Sequence, residues 1–322
     1  MRIRYISYGV HETGGSRHEK FLFDQAVEFY AQTQAVKPEQ IRKNKYFQTP
    51  LAHLELLIWS FFKSQAELNI VTAKTALMAV LRNWFNQKKV WIVMHNFNEN
   101  DWSSPRLSWY YKTLFKLLRK KNDNKFKVIV VAPYWSHYFK QTLQLPNVHL
   151  FPNFFKTNWY QSYCNEPKIK LIHLGQWSSK NDPAIFKLAE HLSQKGWQCY
   201  FTTLQPKQTQ LSSAHYQIKY FEHFKDYIDA MAKSEYTLAL SGIAEGWNRI
   251  AHESLLVCTT VIGYNKGGLG DLLKESKSYI VNSTEEAIQL IETNQKACAS
   301  SEFIHKYDLS QAEKYMIKLC MD

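Results

Sequence analysis

Glu245 and Glu253 bracket seven residues within the stretch Ala239 to Leu273, ALSGIAEGWNRIAHESLLVCTTVIGYNKGGLGDLL. On one helix they would lie about 12 Å apart along the axis and be turned about 80° from one another. That is too wide for a paired acid and base acting on one bond, which needs roughly 5 to 9.5 Å. It suits two carboxylates that each hold a separate hydroxyl. Gly246 lets backbone approach a ligand closely at a helix start, where free N–H groups and the positive dipole end favour an anion. A sugar nucleotide offers these three features in its ribose, diphosphate and hexose.

Other residues of chemical interest stand where apolar runs end. His95 directly follows VWIVM, and Lys180 closes HLGQWSSK (His173 to Lys180). The lysine ammonium is a mobile point charge that can neutralise a departing diphosphate. Gly14 and Gly15, with Ser16, Arg17 and His18, follow the first apolar run. No GxGxxG follows that run, which speaks against a nicotinamide or flavin enzyme. GxSxG, HExxH and P-loop patterns are missing too, so hydrolase, zinc-protease and NTPase readings have no local support. No Asp-x-Asp signature implies a metal, and no cofactor is expected.

The elements that must position these residues alternate between strand and helix, the pattern of parallel sheets covered on both faces. Strands are expected at 2–8, 68–72, 90–94, 127–131 and 148–151, with helices at 18–31, 49–64, 74–86, 105–121 and 134–142. The polar segment 153–168 breaks the rhythm. A second run then places strands at 168–174, 197–203, 217–221, 236–240, 259–263 and 278–281, with helices at 182–195, 224–233, 247–257, 268–275 and 284–293. A last amphipathic stretch, 301–319, reads as one closing helix. Two such units facing one another make a cleft, and ligands sit outside the carboxyl ends of parallel strands. The loop residues Asn98, Glu99, Asp101 and Trp102 are then candidates for acceptor contact.

The segment Ala239 to Leu273 resembles the E-x7-E region of retaining, family 4-type glycosyltransferases, which runs from EGFG through a second Glu and small residues to Thr-Pro-Val-Ile-Gly and a Gly-Gly loop. The departures are Trp247 and Asn248 for Phe-Gly, Cys258, Thr259 and Thr260 in the Cys-Gly-Thr-Pro-like stretch, and Asp271 near a later Glu. The resemblance implies an α/β fold of GT-B type, two Rossmann-like doubly wound domains facing a central cleft. Residues 1–153 would be the acceptor-binding domain, 154–167 a linker, 168–300 the donor domain and 301–322 a C-terminal helix. Glu245 would hold a donor-sugar hydroxyl, Gly246 and Trp247 would offer backbone amides, and Glu253 would accept from the ribose. HLGQWSSK is similar to the family's phosphate-holding Gly-Arg…Lys loop. Gly175 and Lys180 match it; Gln176 stands near the family arginine, with Arg249 a candidate replacement. His95 sits where the family places a histidine facing the donor sugar, a role of positioning and charge stabilisation rather than proton transfer. Gly14, Gly15, Ser16 and Arg17 match the acceptor-facing loop more loosely. The implied activity is transfer of a sugar from a nucleotide-sugar donor to a glycan or lipid-linked acceptor in envelope polysaccharide synthesis. No carboxylate is placed as a nucleophile, so the departing phosphate would help deprotonate the acceptor.

With 322 residues, 45% apolar and 21% charged, the chain is long enough for two globular domains and is neither disordered nor fibrous. The densest apolar run, Leu51 to Phe62, is broken by His53 and Glu55 and is too short to span a bilayer. The five cysteines are odd in number, scattered and without metal-ligand spacing, so each is expected to be a buried, inert thiol in a cytoplasmic protein. Residues 1–150 carry 22 Lys and Arg against 10 Asp and Glu, whereas the rest carry 18 of each. Such a field attracts an anionic membrane surface, a phosphorylated substrate or nucleic acid. Nucleic acid is not expected as partner, because no binding module accompanies Trp109, Tyr110 and Tyr111. A basic nucleic-acid-binding protein, a silent GT-B relative and a sugar-nucleotide epimerase are the other readings.

Overall fold

The computed structural model describes residues 1–8, 14–43, 66–95, 97, 105–121 and 124–321. They form two compact units, Met1–Asn153 with Ser310–Asp322, and Phe154–Leu309.

The first unit is a six-stranded parallel sheet in the order β2-β1-β3-β4-β5-β6: β1 (Arg2–Tyr8), β2 (Lys37–Lys43), β3 (Leu68–Thr72), β4 (Lys89–Met94), β5 (Phe126–Val130) and β6 (Val148–Leu150). The helices are α1 (Gly14–Ala31), α2 (Ala76–Arg82), α3 (Pro105–Lys120) and α4 (Pro133–His137), which continues as one wider turn to Thr142. β3 and β5 are buried along their whole length, as strands covered on both faces must be.

β2 is a strand that the charged segment KPEQIRK does not announce. It lies at the sheet edge, where Pro38 costs no ladder hydrogen bond, and Glu39 answers the buried Arg4 at 2.7 Å. α1 begins at Gly14, so Gly14 to Arg17 form the first turn of a helix and not the loop expected there. The helix expected at 49–64 falls outside the described residues.

The second unit has β7 (Ile169–Gln176), β8 (Gln198–Thr203), β9 (Gln217–Tyr220), β10 (Ser234–Ala239), β11 (Thr260–Tyr264) and β12 (Tyr279–Val281), all parallel, in the order β12-β11-β10-β7-β8-β9. The chain winds outward from β7 to β9, returns to lay β10 on the other side of β7, and winds outward again. The order reverses between β7 and β10. Helices α6 (Ala184–Gln194) and α10 (Thr284–Glu292) give Ile185, Leu188, Ala287 and Ile291 to the core on one face. On the other face α5 (Thr157–Gln161), α7 (Phe224–Lys233) and α8 (Arg249–Leu256) bury Tyr160, Ile228, Met231 and Leu256 together. α9 (Gly267–Glu275) follows β11.

The segment expected to link the domains is built into the second unit. Phe155 donates its N–H to Tyr307 O at 2.9 Å and accepts from Leu309 N at 2.8 Å. This pairing breaks the single helix expected at 301–319 into α11 (Ser301–Lys306) and α12 (Ala312–Met321), because backbone that bonds Phe155 cannot continue a helix. α12 packs against α1 in the first unit, where buried Lys127 of β5 donates to Leu319 O at 2.6 Å.

Cys164 and Cys258 are joined by a disulfide with Cα atoms 5.1 Å apart, which corrects the expectation of five unbridged thiols. Their 94-residue separation carries no spacing signal, since only the packing of α5 on α8 brings them together. Cys199, Cys298 and Cys320 are free, and Cys298 is exposed rather than buried. Among the described residues no helix is long and apolar enough to cross a membrane.

Replacing Lys127 by Met removes a charged donor from the end of α12 and should cost about 1.5–3 kcal/mol. A lower denaturant midpoint, with faster amide exchange across 312–321, is the expected result.

Candidate functional site

The carboxyl ends of β7 and β10 flank the reversal of strand order in the second unit, the place where open α/β sheets take ligands. At the end of β7, Gly175 has φ +82°, a left-handed conformation that glycine adopts without steric cost, and Gln176 beyond it is exposed. The following loop is zipped to the end of β10. Gly242 N–H donates to Lys180 O at 2.7 Å, Asp182 N–H donates to Leu240 O at 3.0 Å, and Asn181 pairs with Ser241. The backbone of Lys180 is thereby fixed while its side chain is exposed. Lys266, at the end of β11, reaches Gly242 O at 3.4 Å and lies over the Tyr264 ring. Gly242 is thus bonded to Lys180 through backbone alone and to Lys266 through its ammonium group.

Glu245 occupies the loop between β10 and α8, partly exposed. Ser241 Oγ donates to its Oε1 at 3.0 Å, and its carbonyl accepts from Gly268 N at 2.8 Å. The neighbouring Gly267 has φ +58°, and a Cβ there would lie 2.6 Å from Glu245 O and 2.9 Å from Glu245 N. Only glycine fits against that backbone, so the Gly-Gly pair opening α9 sets where Glu245 sits. The helical span estimated for the two glutamates does not apply, because α8 starts at Arg249 and only Glu253 lies in it.

Beyond Glu245 the side chains turn inward. Gly246 is buried, and the Trp247 indole donates Nε1–H to His252 Nδ1 at 2.9 Å while packing on Tyr307. His252 is fully buried, and burial followed by the nearby Arg249 charge holds its pKa well below the ordinary value, so it is neutral. Asn248 caps α8, its Oδ1 accepting from Ala251 N at 2.9 Å.

Glu253 is 3% exposed. Its Oε1 accepts from Arg249 Nε at 2.7 Å and from Tyr160 OH at 3.4 Å, and its Oε2 accepts from Tyr227 OH at 3.3 Å. Burial, reinforced by the Glu253 charge, pushes both phenols well above their usual range, so they remain donors. Arg249 also lies over the Phe155 ring at 4.9 Å. Tyr160 and Tyr227 stand 93 and 26 residues from Glu253, and no periodicity in the sequence connects them.

Gly175, Gln176, Lys180 and Glu245 are therefore gathered at one edge of the second unit, whereas Trp247, Asn248, Arg249 and Glu253 direct their side chains into the packing of α8. In the first unit His95 follows β4 and its Nε2 lies 3.2 Å from Glu19 Oε1 on α1, the helix whose first turn holds Gly14, Gly15, Ser16 and Arg17. Glu19 was invisible to motif reasoning because it stands among ordinary helix residues. Asn98, Glu99, Asp101 and Trp102 lie outside the described residues.

No family model and no curated protein sequence matches the chain. Its fold is shared with solved structures. Anabaena HepE in complex with UDP-glucose is 14% identical, covers 100% of each chain and gives a TM-score of 0.71. Sucrose-phosphate synthase from Thermosynechococcus elongatus is 13% identical, with 99% of this chain and 98% of that one covered and a TM-score of 0.68. UDP-GlcNAc 2-epimerase from Methanocaldococcus jannaschii is 11% identical, with 100% and 99% covered and a TM-score of 0.60. At these identities the likeness is one of fold: the chain has the two Rossmann-like units of the GT-B architecture.

Two substitutions separate the glutamates' surroundings. Glu253→Ala leaves the Arg249 guanidinium and two buried hydroxyls without their acceptor and should destabilise by about 3–5 kcal/mol, read from chemical denaturation. Gly267→Ala forces a strained φ and a backbone clash beside Glu245. A loss of about 1–3 kcal/mol from strain alone should lower the melting temperature by at least about 2 °C.

Proposed function

We propose that this chain is a glycosyltransferase that moves a sugar from a nucleotide-sugar donor to a hydroxyl of an acceptor. The observation that carries the reading is Glu245, held against Gly267 at the carboxyl edge of the second unit, in the same loop as Gly242, which bonds the Lys180 backbone and accepts from Lys266 Nζ. A carboxylate suits a sugar hydroxyl, and two ammonium groups suit a diphosphate whose negative charge grows as the glycosidic bond breaks. Gly175, Gln176, Gly246 and the backbone amides of Trp247 and Asn248 belong to the same donor site in this reading. Glu253 and Arg249 hold α8 in place, and Glu253 reaches a ribose only if Tyr160 or Tyr227 yields. HepE binds UDP and UDP-glucose, which supports a uridine diphosphate donor as the first to try. The lysines supply charge for the diphosphate without a resident metal, so turnover should survive treatment with a chelator.

The retaining course rests on the resemblance of Ala239 to Leu273 to the E-x7-E family. The acceptor reading rests on charge. The excess of Lys and Arg in residues 1–150 favours a glycan or lipid-linked acceptor that is anionic or carried on a diphosphate, as in envelope polysaccharide synthesis, with a cytoplasmic protein held peripherally at an anionic membrane. Gly14, Gly15, Ser16 and Arg17 would face that acceptor. Because an epimerase shares the fold, the two activities are separated by product analysis: a changed sugar formed without any acceptor would identify the epimerase.

A thermal-shift screen with uridine, guanosine and adenosine diphosphate sugars should give one class that raises the melting temperature. Glu245→Ala should weaken that ligand by about 10- to 100-fold, the loss of a hydrogen bond to a charged group. Lys180→Ala should lower kcat by about 10²- to 10³-fold, as loss of a single charge-stabilising donor does elsewhere. A chain that binds none of these compounds is not a nucleotide-sugar enzyme.

A further inference from the structure

Cys164 and Cys258 lie on either side of a contact that closes Glu253. Cys164 is in the turn leaving α5, where its N–H donates to Gln161 O at 3.1 Å, so it stands one helical turn after Tyr160 and on the same side. Cys258 stands just past the end of α8, the helix that carries Glu253, in the left-handed conformation (φ +57°) that glycine commonly takes at such ends. The disulfide therefore joins the same two elements as the hydrogen bond from Tyr160 OH to Glu253 Oε1. At 3.4 Å that bond is a weaker hold on the carboxylate than the 2.7 Å bond from Arg249.

Two features mark the bridge as one that can open and close. Cys164 and Cys258 are both half-buried, so neither is enclosed against an approaching thiol. The α5–α8 contact is also held by more than the bridge, since Gln161 Nε2 donates to Leu256 O at 2.6 Å and Lys168 Nζ donates to Val257 O at 3.2 Å. Loss of the S–S bond leaves two thiols still near one another and placed to pair again. In the cytoplasm, the location proposed for this chain, disulfides face reducing thiols, and those found there are usually transient and redox-sensing.

We propose that the Cys164–Cys258 disulfide is a reversible thiol switch that holds Tyr160 on Glu253 when oxidised and frees the carboxylate for a donor ribose when reduced, an inference that rests on the glycosyltransferase reading. A thiolate of a cellular dithiol attacks one sulfur of the bridge, forming a mixed disulfide and releasing the other cysteine. The second thiol of the dithiol then displaces the remaining cysteine. The chain gains two electrons and two protons as its two cysteine thiols, and the dithiol becomes a disulfide. Exchange in the other direction, with an oxidised thiol compound, restores the bridge. The bridged structure is the closed one, with Glu253 3% exposed. Without the bridge the α5 turn can carry Tyr160 away while Arg249 and Tyr227 keep their bonds to the carboxylate. A ligand that needs the open state binds more weakly in proportion as that state is rarer, and bridging makes it rarer.

The first arm of the test needs no nucleotide sugar. The folded full chain, treated with dithiothreitol and then alkylated, should carry label on Cys164 and Cys258 by peptide mass, and oxidised glutathione before alkylation should protect both. Amide exchange across 157–164 should quicken on reduction. A bridge that resists reduction until the chain unfolds, thiols that do not pair again, or exchange that is the same in both states overturns the proposal. The second arm uses the nucleotide sugar that raises the melting temperature. The reduced chain should bind it about 5- to 150-fold more tightly than the oxidised chain, the usual range of coupling between two sites. By linkage the same ligand should make the bridge easier to reduce by the same factor, read from the dithiothreitol equilibrium. Cys164→Ser and Cys258→Ser should each bind at the reduced chain's affinity with or without dithiothreitol. Equal affinity in the two redox states overturns the proposal and leaves the glycosyltransferase reading standing. If no nucleotide sugar binds in either state, the glycosyltransferase reading fails and the control of donor binding fails with it.

Discussion

The approach of Gly267 to the backbone of Glu245 is the contact on which the carboxyl edge of the second unit depends. β10 and β11 are hydrogen-bonded neighbours with Tyr236 opposite Thr260 and Ala239 opposite Gly263, so the loops that leave them must run side by side. Between two such loops there is room for backbone but not for a Cβ. Glycine at 267 lets the amide of Gly268 meet the carbonyl of Glu245, and the Ser241 hydroxyl then steadies the carboxylate from the other side. A carboxylate held by backbone and a hydroxyl from two neighbouring loops is preorganised, which is the condition under which electrostatic stabilisation is effective.

The two glutamates of the E-x7-E pattern have different physical surroundings. Glu245 is partly exposed, whereas Glu253 is enclosed by Arg249, Tyr160 and Tyr227. A buried ion pair gives back much of its attraction as lost hydration, so this network is weak grounds for extra stability. It does give a defined geometry, because each donor comes from a different helix. Arg249 is on α8 itself, Tyr160 on α5 and Tyr227 on α7, and the Cys164–Cys258 bridge closes the same α5 and α8 contact covalently. The helix whose N-terminus follows Glu245 is therefore fixed along its second turn.

Most of the strand and helix pattern was legible, since buried parallel strands such as Leu68–Thr72 read as continuous apolar runs and α7 at Phe224–Lys233 is strongly amphipathic. The failures have separate causes. β2 is polar because an edge strand pairs on one side only, and its register comes from β1 rather than from its own sequence. The terminal helix splits because Tyr307 and Leu309 pair with Phe155, a partner far away in the chain that no local pattern contains. At the site, the strand-end addresses of Lys180, Glu245 and His95 were readable from where apolar runs stop. The partners of Glu253 and the pairing of Glu19 with His95 were not, because each joins residues on different elements whose spacing has no period.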